Sequence, residues 1–299
     1  TLLLYATVNG LNFLFIIAVC LLSAATLYAL GYDFNYGLNL LQHAYQLAES
    51  LAYQTPTLIE LPYVLTFFVV FLIHGFFHYW IHRLCHMNRF LWLVLHRFHH
   101  MPTTLTNAST TVVIISVPFF LFMLLPKVFI YSALSKLFYP EPLLMEMFFF
   151  SIILWIPDPY AHQTALYKEA LRSKFIRMFS FFATSQGVYH YLHHTNDPEL
   201  TAKNKTNLIN IGGGIFHIWD IVFKTYHPLT PIEDKTPPIG LWGNPNLHHN
   251  PVRLLLSGLY QVLFEIRHNQ GLKAKLMCVL GSTSYSPEIT RSYHISEAE

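Results

Sequence analysis

An all-α integral membrane helical bundle, with about four transmembrane helices and a cytosolic helical cap holding a histidine-rich dimetal site, is the fold class this sequence predicts. Three observations predict it. The 299 residues are 53% hydrophobic and only 11% charged, against about 25% charged in ordinary soluble domains. Aromatic residues make up 16% of the chain, and mean hydropathy is +0.37. Histidine recurs in three clusters: His82-Arg-Leu-Cys-His86, His96-Arg-Phe-His99-His100 and His190-Tyr-Leu-His193-His194. Residues at i, i+3 and i+4 share one helix face, because each turns the chain by roughly 100°. Such a stripe sets imidazole nitrogens side by side, as a metal ion needs.

The elements follow in order. Leu2–Leu30 is apolar and long enough to span, since about 20 apolar residues cross a hydrocarbon core. It is too long for a cleavable signal peptide and lacks its basic flank, so it reads as a retained membrane helix. Leu38–Tyr53 alternates apolar residues with Gln42, Gln46 and Glu49, predicting a short amphipathic helix in the opposite interface. From Leu58 the chain stays apolar through Trp80 with no stop before His86. A helix of that length overshoots the bilayer core, so its last turns project into the cytoplasm with His78, His82 and His86 on one face. Asn88–His100 reads as an interfacial helix, broken by Met101-Pro-Thr-Thr. Ala108–Ile130 and Leu143–Ile156 predict a hairpin that crosses the membrane and returns, although Pro118 and Pro126 also allow a re-entrant one. Lys168, Arg172, Lys174 and Arg177 form a basic amphipathic stretch suited to lipid headgroups. Pro228–Pro245 is a Pro- and Gly-rich loop, and Val252–Arg267 an amphipathic helix. The organisation expected is one integral membrane domain over 1–299. It has an N-terminal transmembrane helix and interfacial segment at 1–57, a histidine-box core at 58–226, and a C-terminal loop and amphipathic helix at 227–299.

Net charge is only +2, which gives no bulk case for a nucleic-acid partner. None of the 18 Lys and Arg precedes Arg83. By the positive-inside tendency the histidine boxes and the C-terminal region face the cytoplasm. Three isolated cysteines, with no CxxC, exclude a thiolate zinc ribbon, an iron–sulfur site and a disulfide framework.

The histidines that fit the pattern are His82, His86, His96, His99, His100, His162, His190, His193 and His194. Neutral imidazole suits iron, zinc, copper or nickel. Two ions would use all of these rings and one ion could not, so the count favours a dinuclear site. Any single histidine of this kind is more often a packed core residue; three clusters at ligand spacing shift the balance to metal. His78, His248 and His249 are additional candidate ligands. His74 and His78 either extend the site or line a polar channel wall, and His248-His249 reads equally well as an ordinary loop pair. His43, His217, His227, His268 and His294 look incidental. Asp158, Asn204, Asn207 and Asp220 are the candidate residues for orienting the ligands and assisting catalysis. Soluble di-iron proteins use Glu and Glu-x-x-His; the one ExxH here, Glu265-Ile-Arg-His268, stands far along the chain from the histidine clusters, so an all-histidine centre is implied. HExxH, Gly-x-Ser-x-Gly and phosphate-loop motifs are also absent from the sequence.

His78-Tyr-Trp-Ile-His-Arg-Leu-Cys-His86 resembles a YWxHRxxH first box, and the 96–100 and 190–194 clusters resemble HxxHH boxes. Asn210-Ile-Gly followed by Trp219-Asp-Ile-Val-Phe-Lys-Thr-Tyr226 resembles an NYG…WDxxFGTY stretch. These are the marks of the fatty acid hydroxylase superfamily of integral membrane di-iron oxygenases, which includes sterol desaturases, C4-methyl sterol oxidases and alkylglycerol monooxygenase. The resemblance runs from about residue 74 to 226. Four features depart from it: Gly75 stands where an acidic residue is common, Lys224 replaces the usual glycine, the Asn210–Trp219 gap is one residue longer, and His162 is single.

The resemblance implies two iron ions, O2 as co-substrate, and electrons from a separate donor, a reductase with a carrier of cytochrome b5 or ferredoxin type. Zinc is expected as a substitute in purified protein. The reaction implied is hydroxylation of a C–H bond in a lipid (fatty acyl, ether lipid or sterol), with membrane lipids as the surroundings. The first-box spacing favours hydroxylation over desaturation on the same scaffold. The membrane is the endoplasmic reticulum in a eukaryote and the inner membrane in a bacterium. Arg83, Arg97 and the 168–177 stretch are expected to form the docking surface for the electron donor. Two readings from other classes stand beside this one: a divalent metal transporter with histidine gates, and a non-catalytic relative holding structural zinc.

Overall fold

The computed structural model describes residues 21–287 apart from 23–24, 27, 33–34, 101–129, 148, 150–163, 184–186, 198–207, 213–216, 230–236 and 241–250. Among the described residues the chain is helical, with no strands and two isolated bridge pairings, Asn88 with Ser282 and Thr195 with Ile239. The chain divides into two compact units, 1–74 with 106–160 and 75–105 with 161–299.

In the first unit, α1 (Asn35–Gln54) covers the expected amphipathic helix and extends it at its N-terminus. Ala48 and Ala52, one turn apart, are buried, while Gln46 and Leu47 are exposed. The next helix, α2 (Tyr63–Met87), begins five residues later than the apolar run. Pro62 is the reason, because a proline bars the residue before it from helical dihedrals. Leu58, Ile59 and Leu61 instead donate their N–H groups to the carbonyls of Leu137 and Phe138, at the end of the helical stretch 130–138. Val70, Tyr131, Leu143 and Met147 form the core there. Two polar contacts lie beside it: Lys136 Nζ donates to Thr57 Oγ1 at 2.6 Å, and Ser135 Oγ accepts from Leu143 N at 3.0 Å.

At 1.5 Å per residue, the 25 residues of α2 run for about 37 Å, longer than a hydrocarbon core of about 30 Å. It is the one helix among the described residues long and apolar enough to cross a membrane. The expected span Leu2–Leu30 and the hairpin of Ala108–Ile130 with Leu143–Ile156 lie outside the described residues for most of their length.

The second unit carries the histidine boxes. Asn88 ends α2 and its side chain accepts the Leu91 N–H, capping α3 (Arg89–Leu91). A π-turn, Trp92–His96, and then α4 (Arg97–His100) follow. The single interfacial helix expected over 88–100 is therefore interrupted in its middle. Two helices, α5 (Thr164–Arg172) and α6 (Lys174–Ala183), form a bent pair. Arg177 donates to the carbonyls of Ala170 and Leu171, the exposed-carbonyl end of α5. A 3₁₀ turn at Gly187–Tyr189 leads into α7 (His190–His193). The core beneath is built from Tyr167, Val188, Tyr191, Leu192 and Ile209, with Tyr167 stacked on Tyr191 at 4.3 Å. The short α8 (Ile218–Val222) sets Trp219 and Phe223 against Tyr79 and Ile211. Pro251 opens α9 (Pro251–His268), a favoured place for a residue without an N–H. An unexpected helix, α10 (Leu272–Leu280), follows the left-handed Gly271 and packs on α9.

Candidate metal centre

Five imidazoles meet in the second unit. One turn apart on α2 sit His82 and His86; His96 closes the π-turn, His100 closes α4, and His193 closes α7. Their ligand nitrogens all lie within 4.8 Å of one another. Every ring but that of His96 is buried. The π-turn, marked by Arg97 N–H donating to the Trp92 carbonyl five residues back, redirects the residues that follow it. Such turns recur at functional sites.

His96 Nε2 is the hub. It lies 3.0 Å from His82 Nε2, 2.9 Å from His86 Nε2 and 3.0 Å from His100 Nε2. One proton on that nitrogen points to only one of three neighbours, so hydrogen bonding alone does not account for the arrangement. A cation does. Neighbouring ligands at right angles on one ion, with metal–nitrogen bonds near 2.1 Å, stand about 3.0 Å apart. The donor set therefore fits a borderline transition metal, and among the described residues no carboxylate takes part.

Tautomer follows from the outer nitrogens. His82 Nδ1 donates to the Ile211 carbonyl at 2.6 Å, and His193 Nδ1 to the Ile209 carbonyl at 2.8 Å. A carbonyl only accepts, so both protons sit on Nδ1 and both Nε2 lone pairs remain for a metal. Burial, then the imidazoles of His194, His96, His86 and His193, hold His100 well below the usual histidine pKa. It is therefore neutral, the form that ligates.

The stretch 209–212 that supplies these carbonyls is itself gripped. Asp220, fully buried, accepts Ile211 N at 2.8 Å and Thr225 Oγ1 at 2.7 Å on one oxygen, and Gly212 N at 2.9 Å on the other. Tyr79 shares a 3.0 Å hydrogen bond with Thr225 and receives one from Arg83 at 2.9 Å. Asn210, with φ 44°, reaches back to the Tyr189 and His227 carbonyls and accepts His227 N. Asparagine tolerates that left-handed backbone better than most residues. His217, fully buried with φ 49°, sits among Phe181, Tyr189 and Tyr226 with Nδ1 3.5 Å from Asp220. It backs the same carboxylate and is not incidental.

A second pair adjoins the five. His190 and His194 are buried with their Nε2 atoms 3.2 Å apart, and the His194 ring stacks on His100 at 4.2 Å. His78 is one turn down α2, its ring 6.0 Å from His82, outside the five-ligand group. Asp158, His162, Asn204, Asn207, His248 and His249 lie outside the described residues, as does the side chain of His99.

Tyr79, Asn210, Thr225 and the carbonyls of Ile209 and Ile211 were not anticipated as site residues. The first three stand inside the quoted motifs, which was their only signal. The cations expected to form the donor-docking surface are differently disposed. Arg97 is half-buried and spent on Gln261 and Ser257, Arg83 lies against Tyr79 and Trp80, and Arg177 caps α5. Only Lys168, Arg172 and Lys174 of that set are exposed.

Residues 67–225 match the model of a family described as fatty acid hydroxylase, just over half of the chain. The chain belongs to the fatty acid hydroxylase family. Nothing matches it among curated proteins or among solved structures. The matched segment holds all five clustered histidines together with Asp220 and Thr225. It stops short of α9 and α10.

Proposed function

We propose that this fatty acid hydroxylase family member is a membrane-bound lipid monooxygenase. It would use two iron ions, O2 and electrons from a separate donor protein to hydroxylate a C–H bond of a lipid. The observation that carries the reading is the five-imidazole group, joined by no carboxylate among the described residues, at the end of a helix longer than a bilayer core. Bound iron supplies redox reactivity toward O2, which none of the side chains in this pocket offers.

The chain's own residues do the rest. His82, His86, His96, His100 and His193 would hold one ion. His190 and His194, with His99 and His162, are the ligands proposed for the second. The Ile209 and Ile211 carbonyls keep His82 and His193 in the ligating tautomer, and Asp220 keeps those carbonyls in place. Burial of the rings excludes bulk water, which protects a reactive centre from side reactions. Because the pocket sits at one end of α2, an acyl or sterol chain would enter along the apolar part of that helix while its polar end stays near the surface. We place the pocket on the cytoplasmic side, where the lysines and arginines concentrate. Lys168, Arg172 and Lys174 suit an acidic electron donor there.

Three measurements on purified protein in lipid nanodiscs test this: metal per chain, reductant- and O2-dependent turnover of supplied lipids, and product mass. Two irons per chain and gain of one oxygen atom are expected. Loss of two hydrogen atoms instead would make the protein a desaturase. Zinc content with no turnover, from cells given ample iron, would overturn the oxygenase reading.

A further inference from the structure

We propose that α9, which lies beyond the family match, is the element that positions His96 and His100, and that Gly258 and Gln261 are its positioning residues. Ser257, Gly258, Gln261 and Glu265 recur along one face of α9. Each meets the segment that carries the second histidine box. At Gly258 the two backbones touch: a methyl group there would lie 1.8 Å from the Leu93 carbonyl oxygen and 3.2 Å from Val94 N. Those are backbone atoms of the π-turn, so no side-chain rotation relieves the clash. An ordinary carbon–oxygen contact is about 3.3 Å or more, so the turn and α9 would separate by more than an ångström.

Above and below that contact runs a hydrogen-bonded rail. Arg97, the residue after the hub histidine, donates to Gln261 Oε1 at 2.9 Å and Ser257 Oγ at 3.3 Å. Gln261 Nε2 donates to Glu265 Oε1 at 3.1 Å, and Glu265 pairs with Arg89 at 2.8 Å. Arg89 also binds the Tyr285 carbonyl and, through its own N–H, the Gly281 carbonyl. The second box is thus held at its start, middle and end by the C-terminal helical pair. Because nitrogen separations near 3 Å at His96 define the ligand group, a displacement of this size at Leu93 would spoil it.

The inference rests on the metal reading above, and the experiment separates the two. Full-length protein in detergent, stripped of metal, is titrated with Co2+, whose visible absorption reports the number and kind of ligands. Gln261→Ala and Gly258→Ala are compared with wild type and with Tyr260→Ala, an exposed position on the same helix. We expect Co2+ affinity to fall about 10–100-fold in both positioning variants, with an altered spectrum, and to stay at the wild-type value in Tyr260→Ala. The metal-free melting temperature of Gln261→Ala should move by only about 2–4 °C, so the affinity loss is not an unfolding effect. If Gly258→Ala fails to fold, Gln261→Ala decides alone. Wild-type affinity and spectrum in folded Gln261→Ala would overturn the inference and leave the metal reading intact. A wild-type protein that binds no Co2+ would overturn both.

Discussion

His82 and His193 on one side of the pocket, and His96 and His100 on the other, are held in different ways. The first two donate from Nδ1 to the carbonyls of Ile211 and Ile209, a stretch that Asp220 and Asn210 brace from behind. All of those residues fall inside the family match. The second two ride on a π-turn whose backbone lies against Gly258 and whose ends are tied to Gln261 and Glu265, outside it. The first wall fixes ring orientation and proton position atom by atom. The second fixes where a piece of backbone lies and lets the rings follow. A wall of the first kind needs a particular acceptor opposite each ring; one of the second kind needs a helix that packs closely and is tied at a few points to the backbone it supports.

Removing the hub should have the largest effect. His96→Ala takes away the nitrogen that lies within 3.0 Å of three others, so we expect loss of the ion held by the five-histidine group and lipid oxidation at background. Metal per chain and turnover check this, with exposed His43→Ala as the control. Next comes the first wall. Asp220→Ala leaves two N–H groups and one hydroxyl without their acceptor, at about 1–3 kcal/mol each if buried and unsatisfied. Metal affinity should fall about 10–100-fold, and Asp220→Asn, which keeps one acceptor oxygen, should lose less. Unchanged Co2+ affinity in folded Asp220→Ala would erase the contrast between the walls.

The first wall was the more legible in sequence. His82 and His86 announced themselves by a spacing of four on a long apolar run, and α2 follows that run closely. Asp220 was visible as a polar residue in a motif. The carbonyls of Ile209 and Ile211 were not, because a backbone acceptor carries no residue-type signal. In the second wall His96 and His100 were as plain, but what holds them was almost silent. A π-turn has no sequence signature, and Gly258 reads merely as a weak residue in a helix. Arg89 and Glu265 are separated by 176 residues, so nothing local links them. Arg97 looked like surface charge because a lone arginine after a histidine gives no hint of Gln261. What periodicity reports is which face an element buries; it does not report the partner.

That hidden pair gives the third prediction. Arg89 and Glu265 are almost fully buried, with side chains 5% and 0% exposed. Glu265→Ala strands a buried guanidinium and should cost about 3–5 kcal/mol, whereas replacing both partners by apolar residues of similar size should be near neutral. Denaturation in detergent measures both. The double variant sharpens the contrast: its fold should persist while the rail to Gln261 is cut, so Co2+ affinity should drop although stability does not.

The smallest effect is expected at the edge of the first wall. Lys224 departs from the glycine that the motif resemblance led one to expect, and its backbone is left-handed, with φ 59°. It follows the C-terminus of α8, where the chain turns back so that Thr225 and Tyr226 donate to the Asp220 carbonyl. A left-handed position after a helix end favours glycine, because a side chain there costs roughly 1–2 kcal/mol. Glycine's greater freedom in the unfolded chain returns about 0.5–1 kcal/mol of that. Lys224→Gly should therefore stabilise the protein by on the order of 0.5 kcal/mol, read as a small upward shift in melting temperature, with Co2+ affinity unchanged because the backbone path to Thr225 and Asp220 is the same. A loss of stability would mean that the lysine side chain, exposed in this structure, holds the turn instead of its backbone. The first wall would then depend on a surface cation as well as on its buried carboxylate.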